Sequence, residues 1–368
     1  MEMFHTHVSE EAILNANIVL RTGRLSEGPW VKQFENVLEL LGLSNPVTVN
    51  SGTSALHLAL ELCNVRGREV ILPAQTFCAT AYAVLYAGGI PVFADIDPST
   101  GNLDPLDVEI KITPKTKVIL PVHWSGLPAN LAALHQAADV REDIDIVEDA
   151  AHAFGATYGL STIGDCYYSR FCCFSLQATK NFTCGDGGIL CCNTYDPDDT
   201  ANARRRRWFG IPREQPPGPL GERDYTLYDV GYKMHMTDID AAIGMGNLQD
   251  YQKRLQSRQD CARRYREAFD GVKGVKLLTA PQNKTHAYYT FCLRITQGRR
   301  DSFVQAMQER GIPCSVVNRR IDRHPIFGGL RNLPGTKEFD ESQINLPCHG
   351  MLNVVEVDKV IEAVQKGW

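Results

Sequence analysis

The chain has 368 residues, 43% of them apolar and 8% aromatic, and a net charge of -5. That length is more than one ordinary core organises, so two domains are expected, and the composition excludes a disordered or fibrous protein. The mild acidity excludes a dedicated nucleic-acid binder, which would carry a basic excess, and no run of about 18 apolar residues offers a membrane span.

The opening MEMFHTHVSEEAI has early acidic residues and no basic flank before an apolar stretch, so it is not read as a signal peptide. Several of the 12 cysteines lie inside apolar runs (Cys172, Cys173, Cys191, Cys192), where a reduced thiol acts as a small hydrophobe. No pair of CxxC motifs suggests zinc. A reduced, cytoplasmic protein with no metal site is expected.

In chain order, an amphipathic segment at 9–21 predicts a first helix, followed by the loop TGRLSEGP and a second helix with Phe34, Val37, Leu38 and Leu41 at helical spacing. Strands and helices then alternate. Strands are predicted at 46–50, 69–74, 90–96, 117–124 and 144–150, with helices at 51–62, 79–87 and 130–138 between them. Two further strands are read at 168–175 and 188–192. Short apolar runs separated by helices predict an α/β fold whose mostly parallel sheet is covered on both faces. REQPPGPLGERD at 213–224 is too rich in proline and glycine for a core. One or two long helices are read at 236–269. Beyond them come strand-like VKLL, YYTFCLRI and IPCSV, and helices at 301–309 and 355–364. The expected division is a large domain over 1–250 and a smaller α/β domain over 251–368.

Chemistry concentrates between Glu148 and Gly188. Lys180, in FSLQATKNFTCGDGG, follows an apolar strand and precedes glycines that allow close backbone approach. A lone loop lysine is ordinarily a solvated charge; burial here would lower its pKa toward a nucleophilic amine, suited to a Schiff base. Glu148 and Asp149 sit at the carboxyl end of a strand, where α/β proteins place ligands. Alternation sends their side chains to opposite faces, so only one serves the site, and periodicity does not say which. A helix N-cap is the competing role. SGTSAL (51–56) places small residues and free N–H groups at a helix N-terminus, an anion site or a simple cap. Phe77 is either a core aromatic or a stacking partner for a flat ring. No GxGxxG follows the first strand and no P-loop motif is present.

The ordered set NSGTSALHLAL, PAQTFCATAYAVLYAGGIPVFADID, DIVEDAAHAFGA, FSLQATKNFTCGDGG and GYKMHMTDIDAAIG resembles the DegT/DnrJ/EryC1/StrS family of aminotransferases, over essentially the whole chain. The resemblance implies a fold-type I transferase dependent on pyridoxal 5'-phosphate, passing through the pyridoxamine form. It would move an amino group from an amino acid, L-glutamate, to a nucleotide-linked keto sugar in amino-sugar biosynthesis. It also implies small-molecule substrates and a homodimer with shared active sites. Lys180 matches the Schiff-base lysine, and Asp149, not Glu148, the carboxylate on the pyridine nitrogen. His152 matches the residue at the cofactor's phenolic oxygen and Phe77 the stacking aromatic. Thr53, Ser54 and Ser175, with Gly52 in the same motif, match the phosphate cradle.

The family's GYNYRMTD is GYKMHMTD here, which puts Lys233 where an asparagine reaches the neighbouring subunit's phosphate and His235 where arginine is common. GEGG is GDGG, with Asp186, and the histidine of FHATK is Gln177. Arg207, in ARRRRWFGIPRE, and His324 are implied near substrate, together with His235. The alternatives are a solvated helix face for the basic run and a surface role for His324. The rival functions are a lyase or dehydratase using the same cofactor, and a non-catalytic cofactor-binding regulator. Deoxygenating relatives replace the lysine with histidine, and no DNA-binding module is appended.

Overall fold

A computed structural model describes residues 1–212, 218–222 and 225–368. Most of the stretch 213–224 therefore lies outside the described residues. Seven strands form the central sheet: β1 (Val47–Val49), β2 (Glu69–Pro73), β3 (Ile90–Ala94), β4 (Thr116–Ile119), β5 (Asp145–Asp149), β6 (Phe171–Ser175) and β7 (Gly188–Cys192). Their spatial order is β1-β7-β6-β5-β4-β2-β3. The pairs β6–β5, β5–β4, β4–β2 and β2–β3 are parallel, and only β7 runs against its neighbours. Except at the start of the edge strand β3, where Ile90 is exposed, the strands are largely buried on both sides, as their unbroken apolar runs require.

The helices read from periodicity are present: α1 (Glu10–Thr22), α2 (Pro29–Leu40), α3 (Gly52–Leu62) and α4 (Cys78–Tyr86). One short helix was not foreseen, α5 (Pro105–Lys111) before the expected α6 (Leu131–Ala138), and α7 (Pro197–Arg206) takes in the start of the basic run that was weighed as a helix face. The signal for α5 was its Asp-Pro start: the Asp104 side chain accepts from the amide of Leu106 and Pro105 opens the helix.

The expected strand at 117–124 stops at Ile119. Pro121 has no N–H for the ladder, though its carbonyl still accepts from the amide of Asp149 at 2.8 Å. The chain then turns through Ser125 at φ +57°.

The helical stretch at 236–269 is two helices, α8 (Asp238–Leu248) and α9 (Tyr251–Phe269). Beyond it, β8 (Val275–Leu277), β9 (Phe291–Ile295) and β10 (Gln343–Leu346) make an antiparallel sheet. It is covered by α9, α10 (Arg300–Glu309) and α12 (Val354–Gln365), around a core that includes Tyr265, Phe269, Phe291, Phe303 and Val360. The unforeseen α11 (Pro334–Ser342) leads into β10. IPCSV forms no strand: Ser315 makes a single bridge to Asn345, and the residues after it turn toward the main sheet. There the amide of Ile321 donates to Ala74 O at 2.8 Å, which brings residues 315–318 over the end of β2.

Candidate active site

A cavity of about 590 Å³ opens at the carboxyl ends of β5 and β6. Its wall includes Gly52, Thr53, Phe77, Asp149, His152, Ser175 and Lys180, so seven of the expected residues meet in one place.

Lys180 is set by the turn that follows β6. Its amide donates to Gln177 O at 2.9 Å, and the next two side chains are buried anchors. Asn181 donates to Phe154 O at 2.8 Å, and Phe182 stacks on Phe154 with centroids 4.5 Å apart. Met236 and Cys184 crowd Gly187 so closely that a Cβ would stand 2.7 Å from the cysteine sulfur, at φ +159°. Only glycine closes that loop. The Lys180 amine makes no hydrogen bond or ion pair among the described residues and lies 4.6 Å from the centre of the Tyr289 ring. Burial lowers its pKa from 10.5 to about 8, against a smaller opposing pull from Asp149. The anchoring residues thus hold an amine that is partly unprotonated at neutral pH.

Glu148 and Asp149 part as alternation demands. Glu148 turns into the core, where His123 Nε2–H donates to it at 2.7 Å and the Ser169 hydroxyl at 2.5 Å. The amide of Ala129 donates to His123 Nδ1, which fixes that tautomer. Asp149 turns into the cavity and accepts from Thr80 Oγ1 at 2.8 Å and from the amide of Ala151 at 3.1 Å. Burial pushes its carboxyl pKa up, opposed by those two bonds and by Lys180. A buried carboxylate with two modest donors favours a cationic partner.

His152 is neutral, its pKa lowered by burial and then by Lys180, and its buried Nδ1 has no partner among the described residues. Its ring lies 4.2 Å from that of Tyr289. Phe77 is 59% exposed, which removes the core alternative. At the start of α3, Ser51 Oγ accepts from the amide of Ser54, leaving the amides of Gly52 and Thr53 at the cavity. A Cβ on Gly52 would stand 2.7 Å from Ser175 Cβ, so the helix end packs directly on β6.

Five expected residues lie elsewhere. Ser54 is off the cavity wall because its hydroxyl donates to Asn50 Oδ1 at 2.7 Å. Arg207 is buried off the wall, bonded to Glu35 at 2.6 Å, Glu27 at 2.7 Å and Thr48 O at 2.7 Å. Its neighbours are likewise paired, Arg204 with Glu35, Arg205 with Asp229 and Arg206 with Asp229 and Glu61, so these four arginines are held by carboxylates and none lines the Lys180 cavity. His235 is buried at 3.2 Å from Ser26 Oγ and edge-on to Trp208. His324 is exposed and off the wall. Lys233 is exposed, its Nζ 3.8 Å from the Trp208 ring centre and outside this chain's cavity.

Sequence reasoning missed Thr80, Tyr289, Trp124, Phe4 and residues 315–318 on the wall. Thr80 follows Phe77 by less than one helical turn, which was a usable signal; the others come from distant segments with no local mark.

A parallel sheet with an unpaired amine, a buried carboxylate and an open helix N-terminus at its strand ends is the site of an enzyme that works on amines through a phosphorylated aldehyde cofactor. The residues present fit that group: an orphaned His152 nitrogen, a carboxylate short of donors, and a helix end so close to β6 that a Cβ would not fit. The family model of the DegT/DnrJ/EryC1/StrS aminotransferase family matches residues 6–365, and the chain belongs to that family of pyridoxal-phosphate-dependent enzymes. It is 31% identical over 370 residues to the spore coat polysaccharide biosynthesis protein SpsC of Bacillus subtilis (strain 168), covering 97% of this chain and 94% of that one. The sugar aminotransferase CalS13 of Micromonospora echinospora superposes with a TM-score of 0.93 at 31% identity, over 100% of both chains. The PLP form of Spr1654 from Streptococcus pneumoniae gives 0.91 at 28% identity, over 100% of this chain and 98% of that one.

Proposed function

We propose that the protein transfers the amino group of L-glutamate to a nucleotide-linked keto sugar. The observation that carries this reading is the enclosed, unpaired Lys180 amine sharing one cavity with the Asp149 carboxylate. Bound there, pyridoxal 5'-phosphate supplies an aldehyde to carry the amino group and a ring to take up electrons. Lys180 holds the cofactor covalently at rest. Once displaced, its Nζ takes the proton from the donor's α-carbon. In the return half-reaction it delivers a proton to the sugar carbon that receives nitrogen. Asp149 pairs with the protonated ring nitrogen, and the charge of each stabilises the other. Neutral His152 serves the phenolic oxygen, and Phe77 packs on the ring. The amides of Gly52 and Thr53 and the Ser175 hydroxyl hold the phosphate.

Lys233 stands outside its own chain's cavity, which supports a role at the phosphate of a second subunit in a cytoplasmic homodimer. The separate core around β8–β10 supports the division into 1–250 and 251–368. No helix among the described residues is long and apolar enough to cross a membrane.

The test is spectroscopic. Purified protein should absorb near the visible–ultraviolet border, lose that band on addition of L-glutamate with release of 2-oxoglutarate, and regain it with a nucleotide-linked keto sugar. Borohydride reduction should leave the cofactor's mass on the peptide containing Lys180. Protein that keeps no cofactor, or whose band no amino acid alters, refutes the proposal. An active monomer on gel filtration refutes the shared site.

A further inference from the structure

Gln177 stands three residues before Lys180 on the cavity wall, and its amide has one orientation. The amide of Thr179 donates to Gln177 Oε1 at 3.0 Å, and the Thr179 hydroxyl donates to the same oxygen at 2.8 Å. A backbone N–H cannot accept, so the side chain cannot be turned over without losing that bond. The oxygen is taken up by Thr179, and the amino group, with two hydrogens to donate, makes no hydrogen bond among the described residues on a side chain that lines the cavity. The Thr179 hydrogen being engaged, its 3.2 Å contact with the Tyr289 phenol is donated by tyrosine. The chain of bonds therefore runs one way, from Tyr289 through Thr179 to Gln177. Tyr289 is itself held by ring contacts with His152 at 4.2 Å and Phe4 at 5.4 Å.

The rest of the wall shows what this amide is for. Among this chain's described residues it contains no arginine, and Lys180, its only cation, is engaged in the chemistry, while the Lys233 proposed to come from a second subunit serves the phosphate. Asp186 adds acceptors, with one oxygen already taken by the amide of Gly187 at 3.0 Å, and so offers nothing to a carboxylate. Under the proposed function, on which this inference rests, an amino acid and a sugar occupy the cavity in turn. A guanidinium would suit the first and stand unpaired against the second, where an uncompensated charge is costly. A neutral group presenting only N–H donors suits both.

We infer that Gln177 Nε2 is a shared substrate anchor, donating to a carboxylate oxygen of the amino donor and, in the other half-reaction, to an oxygen beside the keto carbon of the sugar. Thr179 and Tyr289 are positioning residues that fix its orientation.

The experiment follows the donor half-reaction of the holoenzyme by absorbance, with L-glutamate and with butylamine, which has no carboxylate. Gln177→Leu should raise the half-saturation constant for L-glutamate about tenfold to a hundredfold, as expected for a lost hydrogen bond to a charged group. The maximal rate should change only a few-fold and the reaction with butylamine not at all. Gln177→Glu should be worse than Gln177→Leu with L-glutamate, because it presents only acceptors and adds charge. Thr179→Val, which keeps the backbone N–H but removes the hydroxyl's bond to Gln177 Oε1 and its contact with Tyr289, should raise the constant partway, and Thr179→Ser should restore it. An unchanged constant for L-glutamate in Gln177→Leu overturns the assignment, as does an equal rise with butylamine or an effect found in Asn318→Ala instead. Wild-type enzyme inert to every amino acid overturns the proposed function and this inference together. A reactive wild type with an indifferent Gln177→Leu overturns the inference alone.

Discussion

Replacing Lys180 by methionine should abolish transamination and, in the cofactor-free protein, raise stability at neutral pH. The wild-type amine keeps some surface toward the cavity but sits in an environment that lowers its pKa from 10.5 to about 8. At 1.36 kcal/mol per pH unit, that difference corresponds to about 3 kcal/mol of penalty on the charged form. The sign follows from proton binding. Between pH 8 and 10.5 the unfolded chain holds the proton and the folded one has released it, so stability rises with pH through that window. Well below pH 8 both forms are protonated and nearly the full penalty stands. Methionine fills similar space without charge, although it forfeits the contact of the ammonium with the Tyr289 ring. The net gain should be about 1–3 kcal/mol at pH 7, shrinking toward zero above pH 10. Urea unfolding of both apoproteins across pH 7–10 measures it. Equal midpoints at pH 7, or a variant that gains most at high pH, would refute the picture of a lysine held in place at the expense of stability.

Two other perturbations test neighbouring parts of the site. Asp149→Asn keeps the side chain's shape beside Thr80 but removes its charge; turnover should fall about 10²–10³-fold while mass spectrometry still finds the cofactor on Lys180. Unchanged turnover would remove Asp149 from the mechanism. Gly52→Ala would put a Cβ 2.7 Å from Ser175 Cβ and 3.0 Å from its Cα, both strand atoms that cannot swing aside. It should lower stability by about 1–3 kcal/mol and weaken cofactor binding in a titration of the apoprotein. Unaltered melting and affinity would mean that the helix end does not pack on β6 as described.

Much of the site was legible because α/β topology brings strand ends together. Asp149 ends β5, Ser175 ends β6, and the SGTSAL turn follows β1, so residues far apart in sequence were already tied to one edge of the sheet. Periodicity could not choose between Glu148 and Asp149. The choice depends on which face holds His123 and Ser169, two residues from other segments. The pairing of the arginine run was hidden for the same reason. Its counter-charges Glu27, Glu35, Glu61 and Asp229 are spread along the chain, and composition alone does not show that they converge on α7.

What the sequence by itself determined is the alternation that builds a parallel sheet, and the residue types at its carboxyl edge: an amine, a carboxylate and an open helix end. These are local properties, set by side-chain spacing and by where strands stop. Only the tertiary structure decided that the Lys180 amine is left unpaired among the described residues, that Tyr289 lies against it with Phe4 stacked on that ring, and that Thr179 holds the Gln177 amide by its oxygen. Each of those depends on contacts between segments more than a hundred residues apart, or on an amide orientation that hydrogen bonds alone select.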